Sequence, residues 1–404
     1  MANLKGHFIF PLLLLSFFTL ILVLFPLSPA SAARGRFPLH NPFPPPPRIA
    51  YFIAGSASDG PRVFRLLQAA YHPRNYYLLH LDLRATNEQR NELAKMVGSS
   101  EVFDAAGNVD MIGKSNPVRE EGCTPLALLL QAAAILLRSR DDWDWFVNLG
   151  ASDYPLIPQD DFLHVMSYVP RDINFIEHSS NPSWKEYQRI MDIVVDPGLY
   201  LETKGRTFTG NKKRSLPDAY RFFTGSPHVI LSRKLVEYSI VGWDNLPRTL
   251  LLFFSNTKFS QRDYFQTLVC NTKDFSTKVV NSNLRFTEWD SFSRKEPRNF
   301  SVPFLEKMLG SGAVFAGKFR ANDPVLDRID SIMLKRGQGK VSPGAWCLGG
   351  GWGHDPCRLW GDISILRPGP ASKMLEKLLL KLMDHRTSRL NRCVCQLHPA
   401  TDQY

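Results

Sequence analysis

Zinc-finger, leucine-zipper and aromatic RNA-binding signatures are all missing from this chain, and its 49 lysines and arginines are dispersed rather than gathered into runs. The net charge of +11 therefore does not read as a nucleic-acid footprint. It suits an anionic small molecule or polysaccharide, or a basic surface that only keeps the protein soluble. No internal repeat is present, which excludes solenoids and propellers. No His and carboxylate cluster has the spacing of a metal site, so no metal is expected. Asn299-Phe300-Ser301 is the only glycosylation acceptor that proline does not spoil. What the chain does have is 404 residues, 44% of them hydrophobic, and 8 tryptophans, enough for one large domain or two merged subdomains.

Phe8 to Leu27 is apolar except for Ser, Thr and Pro. At about 1.5 Å per residue it can cross a hydrocarbon core of about 30 Å. We read it as an uncleaved anchor, residues 8–27, behind a cytoplasmic tail, residues 1–7. The alternative is a signal cleaved after Ala30-Ser31-Ala32, which would make the protein secreted and soluble. Residues 28–48 hold Pro38, Pro42 and Pro44 to Pro47, the composition of an extended stem. Of the 6 cysteines, Cys347 and Cys357 bracket a Gly-rich loop and are expected to be joined. Cys393 and Cys395 are badly spaced for mutual bonding, and the pairing of Cys123, Cys270, Cys393 and Cys395 stays open.

From Arg48 the pattern alternates. Arg48 to Ala54 and Tyr76 to Leu81 read as buried strands, each followed by a helix, from Pro61 and from Asn87 to Met96. Glu101 to Phe103 reads as a short third strand and Thr124 to Leu137 as an apolar helix, after which Trp145 to Leu149 is the next strand. The alternation predicts an α/β protein with a parallel, doubly wound sheet over residues 48–178, and a less regular half over 179–404.

Asp82 and Asp153 follow two of these strands, at the carboxyl edge where ligands bind in open α/β sheets. Asp82 reads as a hydrogen-bond partner for a nucleotide or as a helix cap, and Asp153 as a ligand group or as the cap of a turn before Pro155. Asp142-Trp143-Asp144 has the form of a metal-holding Asp-X-Asp, but it precedes its strand and so belongs at the opposite edge. Trp184 to Arg189 mixes aromatic and basic groups as a carbohydrate surface does, and as an ordinary amphipathic helix also does. Asp263 falls in the first turn of a helix, where the dipole favours its ionised form. Arg298 and Lys318 are fixed cations able to neutralise a leaving diphosphate.

Eight segments, in order, resemble the glycosyltransferases of family 14, the core-2 and I-branching enzymes. They are Arg48-Ile-Ala-Tyr-Phe-Ile53, Tyr77-Leu-Leu-His-Leu-Asp82, Gln131-Ala-Ala-Ala-Ile-Leu136, Asn148-Leu-Gly-Ala-Ser-Asp-Tyr-Pro155, Asp196-Pro-Gly-Leu-Tyr200, Phe223-Thr-Gly-Ser226, Gly242-Trp-Asp-Asn-Leu-Pro-Arg-Thr249 and Phe315-Ala-Gly-Lys-Phe319. The chain is most similar to the plant members that transfer glucuronic acid to arabinogalactan proteins. The resemblance implies a GT-A-like nucleotide-sugar-binding fold with a parallel-rich central sheet, in a single-pass type II Golgi membrane enzyme with one lumenal domain over 49–404. It also implies inverting, metal-independent transfer from a UDP-sugar to a glycan or glycoprotein. Ala54, Gly55, Ser56, Asp82 and Asp153 would then face the donor, with Arg298 and Lys318 on its diphosphate. Trp184, Lys185, Arg189 and Trp243 would meet the acceptor, and Asp263 would be the general base.

Three departures stand out. The base position holds an aspartate where the branching enzymes have glutamate, Arg262 replaces an acid of the plant relatives, and Glu120 and Glu121 stand where relatives carry Tyr and a basic residue. The sequence therefore supports two readings besides glucuronosyl transfer: an N-acetylglucosaminyl- or xylosyltransferase of the family, or a catalytically impaired Golgi glycan-binding homologue.

Overall fold

The structure, a computed structural model, describes residues 44–179, 182–289, 297–349, 355–384 and 393. The expected span, most of the stem, most of the Gly-rich loop and Cys395 lie outside these residues. Among the described residues no helix is long and apolar enough to cross a membrane.

Among the described residues twelve strands are formed. They are β1 (Ile49–Gly55), β2 (Tyr76–Leu81), β3 (Val109–Met111), β4 (Trp145–Gly150), β5 (Asp153–Pro155), β6 (Asn174–Ser179), β7 (Asp192–Val195), β8 (Phe208–Lys213), β9 (Thr224–Ser232), β10 (Val279–Val280), β11 (Arg285–Phe286) and β12 (Phe315–Gly317). Seven make one sheet, in the order β10-β6-β9-β4-β1-β2-β3. All neighbours are parallel except β9, which runs antiparallel to both β4 and β6. β9 and β10 come from the second half of the chain, so the two halves share one sheet. β5, β11 and β12 form a small second sheet, and β7 and β8 a hairpin.

The large sheet is buried on both faces, as the continuous apolar runs of its strands require. Along β1, Ile49, Tyr51 and Ile53 enter one core, while Ala50 and Phe52 enter the other. The first core is closed by the helices Gly60–Ala69, Gln159–Ser167 and Pro370–Met383, the second by Thr124–Ser139 and Tyr264–Asn271. One expected strand is corrected: Glu101–Ala106 is a short helix, ended by Gly107 at φ 58°, and the third strand follows at β3. Val102 and Phe103 are too short an apolar run to separate the two periods.

Cys347 is bonded to Cys357, and Cys270 to Cys393. Cys123 is free and buried.

Burial pushes His80, His178 and His228 down from 6.5 to about 4. Between these values the unfolded chain binds protons that the folded chain refuses, so this contribution to stability is complete above pH 6.5 and is lost as pH falls towards about 4. The urea midpoint should decline across that window, and the decline should become shallower in His80→Gln. An equally steep decline in the variant would contradict this account.

Candidate functional site at the carboxyl rim

β1, β2, β4 and β6 all end at one edge, and β9 and the chain after β10 start or continue there. The rim therefore collects side chains from both halves of the chain. On the β1–β2 side, Ser56 Oγ donates to Asp82 Oδ1 at 3.0 Å, and Arg84 Nε donates to Oδ2 at 2.8 Å. Asp82 is not a helix cap. Thr86 caps the next helix with a full capping box, so the buried Asp82 carboxylate is held at the rim beside Gly55 and Ser56. Ala54 and Gly55 end β1 in register with His80 and Leu81.

Asp153 differs from its expected donor-facing role. Oδ2 accepts from the Gly150 N–H at 2.6 Å, closing the turn, and Oδ1 pairs with Arg285 at 2.6 Å. Both side chains of that pair are at most 4% exposed. Asp153 is thus a buried fastening between β4 and the small sheet, and its oxygens are committed. Gly317 lies opposite it in β12, where a Cβ would sit 2.3 Å from Asp153 Oδ1. Only glycine fits there, and this close approach delivers the next residue, Lys318, to the rim.

Lys318 is exposed, and its carbonyl accepts from Phe300 N–H at 2.8 Å. Arg298, two residues before Phe300, is exposed too and lies over the Phe304 ring. The two expected diphosphate cations are therefore carried on adjoining segments, with Asn299 exposed between Arg298 and the buried Phe300.

Asp263 is where the largest difference lies. It occupies the N-cap position of the helix Tyr264–Asn271 but makes no capping bond, and it is 0% exposed. Arg189 grips it with two parallel bonds of 2.8 Å, one to each oxygen. Burial pushes the carboxyl up and the guanidinium pulls it back. Two N–H donors on two oxygens require an acceptor-only carboxylate, so the pair is ionised. The expected free base is sealed, and Arg189, expected on the acceptor, is its counterion.

Sequence reasoning missed Glu177. It ends the apolar run of β6 in the same way that Asp82 follows β2, which is the signal that would have found it. Its side chain is open to solvent, and Oε2 accepts from Asn283 Nδ2 at 3.0 Å. The same amide donates to Ser226 Oγ at 2.9 Å, while Gln266 Nε2 donates to the Ser226 carbonyl at 2.7 Å. Desolvation on its protein side raises the Glu177 carboxyl, and Arg262 opposes the rise. Arg262 itself donates to the Gly225 carbonyl at 3.3 Å. A Cβ on Gly225 would come within 1.8 Å of the Glu177 carbonyl, so glycine alone allows β6 and β9 to close here. His228 is neutral, its burial and the nearby Arg285 both lowering its affinity for a proton.

Trp184 and Lys185 are exposed at the start of the helix Trp184–Met191, shortly after β6 leaves the rim. Trp243 is exposed against Tyr238, and no described contact joins it to the rim group. Glu121 is paired with Lys258 at 3.4 Å, and the Glu120 carbonyl accepts from Gln261, so this acidic segment lies against the turn before Asp263. Asp142 and Asp144 lie at the amino edge, bound to Arg48 and Arg171. Among the described residues the one grouping with metal-ligand chemistry is His178, Cys270 and Cys393, whose two sulfurs are joined to each other.

A mostly parallel sheet with acids, amides and arginines converging on its carboxyl rim defines an α/β protein of the class whose ligand sites lie at the strand ends. The Core-2/I-branching enzyme model matches residues 49–309. Similar proteins include two from Arabidopsis thaliana named β-glucuronosyltransferases. GlcAT14A is 48% identical over 87% of this chain and 78% of its own length, and GlcAT14C is 44% identical over 93% of each. Xylosyltransferase 1 of Rattus norvegicus is 29% identical over 61% of this chain and 28% of its own length. Among solved structures, the WbbM bifunctional glycosyltransferase overlaps 58% of this chain and 38% of its own at 11% identity, with a TM-score of 0.30. The chain belongs to the Core-2/I-branching enzyme family of glycosyltransferases.

Proposed function

We propose that the protein transfers glucuronic acid from UDP-glucuronate to β-galactan chains of arabinogalactan-type glycoproteins, inverting the anomeric carbon in one step. The observation that carries this reading is the 48% identity to GlcAT14A over 87% of the chain. Family membership supplies a nucleotide-sugar donor and a glycan acceptor. The rim supports a GT-A-like use of the sheet: Gly55, Ser56 and Asp82 face the nucleoside, while Arg298 and Lys318 neutralise the departing diphosphate. Those fixed cations, and the engagement of Asp142 and Asp144 at the far edge, support transfer without a metal. The protein sits in the Golgi membrane, anchored by Phe8 to Leu27 with its catalytic domain in the lumen.

The acceptor hydroxyl gives its proton to Glu177. A general base must come within hydrogen-bond reach of that proton, and its pKa should lie near the working pH. Glu177 is open to solvent, steadied by Asn283 and raised by desolvation. Asp263 would have to be released by Arg189 before it could serve. That lock favours a second reading, a family member that binds glycan and transfers nothing. Incubating the protein with labelled UDP-sugars, a β-galactan acceptor and a chelator separates the two. The first reading expects label from UDP-glucuronate in the galactan; donor binding without transfer supports the second.

A further inference from the structure

The β7–β8 hairpin belongs to neither core. All six residues of β8 are exposed, so neither face of the strand is covered. The stretch from Leu201 to Arg214 carries Lys204, Arg206, Lys212, Lys213 and Arg214 against the single acid Glu202. Two of these five are engaged: Lys213 with Asp192 and Gln188, and Arg214 with the carbonyls of Ile190 and Phe253. Lys204, Arg206 and Lys212 are exposed and form no ion pair among the described residues.

Charge on an edge strand can serve only to prevent pairing with another chain. The neighbouring side chains argue for more. Tyr200 is 74% exposed and Phe208 56%, and large apolar groups left open beside a guarded edge work against that purpose. The loop is also held in place, because Arg119 donates to the carbonyls of Gly205 and Glu202 at 3.0 and 2.7 Å. A fixed surface of cations and flat rings suits a polymer that presents both carboxylates and sugar faces. Its position matters as well. Lys213 reaches Gln188 on the helix Trp184–Met191, and the next residue, Arg189, holds Asp263, so the hairpin continues outward from the rim.

We infer that the hairpin is a binding strip for an acidic polysaccharide, the uronate-bearing stretch of an acceptor chain whose next hydroxyl lies at the rim. The inference rests on the glucuronosyltransferase reading, since the product of that reaction carries the carboxylates the strip would bind. It makes acceptors that are already acidic better substrates than neutral ones of the same length.

The test uses the full-length chain in detergent and the triple variant Lys204→Ser, Arg206→Ser, Lys212→Ser. Binding is measured to polygalacturonate and, separately, to phosphatidylserine vesicles, and transfer to a short neutral β-galactan and to a partly glucuronidated one. Wild type should bind polygalacturonate with an affinity that falls as salt screens the charges. The triple variant should bind it about tenfold more weakly, keep wild-type transfer to the neutral galactan, and lose the preference for the acidic one. Equal binding of polygalacturonate by both proteins overturns the strip, as does a variant that loses only the vesicles, which would make the hairpin a membrane contact. The binding arm needs no turnover. A protein that transfers nothing but binds the polyuronate through these residues sinks the catalytic reading and leaves the strip; one that transfers with no acidic preference does the reverse.

Discussion

Glu177→Gln should lower kcat for glucuronosyl transfer by about 10²–10⁴-fold while leaving UDP affinity unchanged, because it removes the proton acceptor and touches no part of the donor site. Glutamine keeps the shape and can still accept from Asn283, so the fold should survive. The pH profile separates this role from simple acceptor binding. Glu177 has its carboxyl raised by desolvation on its protein side, so it loses its proton at a higher pH than an ordinary glutamate, and activity should fall as pH drops through that raised value. In the variant the acid limb should vanish along with the rate. A variant that keeps both the limb and most of the rate would remove Glu177 from the chemistry.

Asp263→Asn should act mainly on stability. The neutral amide leaves Arg189, 13% exposed, with Glu186 at 2.7 Å as its remaining acid, and breaking one side of a buried ion pair costs about 3–5 kcal/mol. Arg189→Met should cost a similar amount for the opposite reason, an uncompensated carboxylate at 0% exposure. The double replacement Arg189→Met with Asp263→Leu should cost less than the sum of the single changes, since apolar groups of similar volume fill the site without stranding a charge. Urea unfolding of the four proteins measures this directly. If the fold tolerates Asp263→Asn within about 0.5 kcal/mol but transfer is abolished, Asp263 is the base and the lock opens during turnover.

The central strands were legible in the sequence because each is a short apolar run ended by glycine or a polar turn. β1, β2 and β4 sit within a residue or so of where the pattern puts them. The orientation of β9 was not legible: Val229 to Ser232 bury as a continuous run like those of its neighbours, and only the route of the chain from the hairpin back to the rim makes it antiparallel. The small sheet of β5, β11 and β12 was missed for a related reason. Two- and three-residue strands carry no period.

At the site, the end of β2 put Asp82 at the rim, and the resemblance alone assigned Arg298 and Lys318 to the donor. It failed where function depends on partners far away in the chain. Asp153 looks like a ligand group until Arg285 arrives from the small sheet, and Asp263 looks like a free acid until Arg189 arrives from 74 residues earlier. A carboxylate's local neighbours say where it sits, and the charge that meets it there decides whether it can do chemistry. Glu177 shows the opposite case, an acid with no motif around it that the fold leaves open.

The most direct test of the account is a titration of UDP, in the presence of chelator, into the wild-type protein and into Lys318→Ala and Arg298→Ala. The account predicts binding by the wild type without metal and affinity at least about tenfold weaker in each variant, roughly the worth of one charge-assisted contact to phosphate. Wild-type binding that appears only when a divalent ion is restored, or equal affinity in all three proteins, would contradict it.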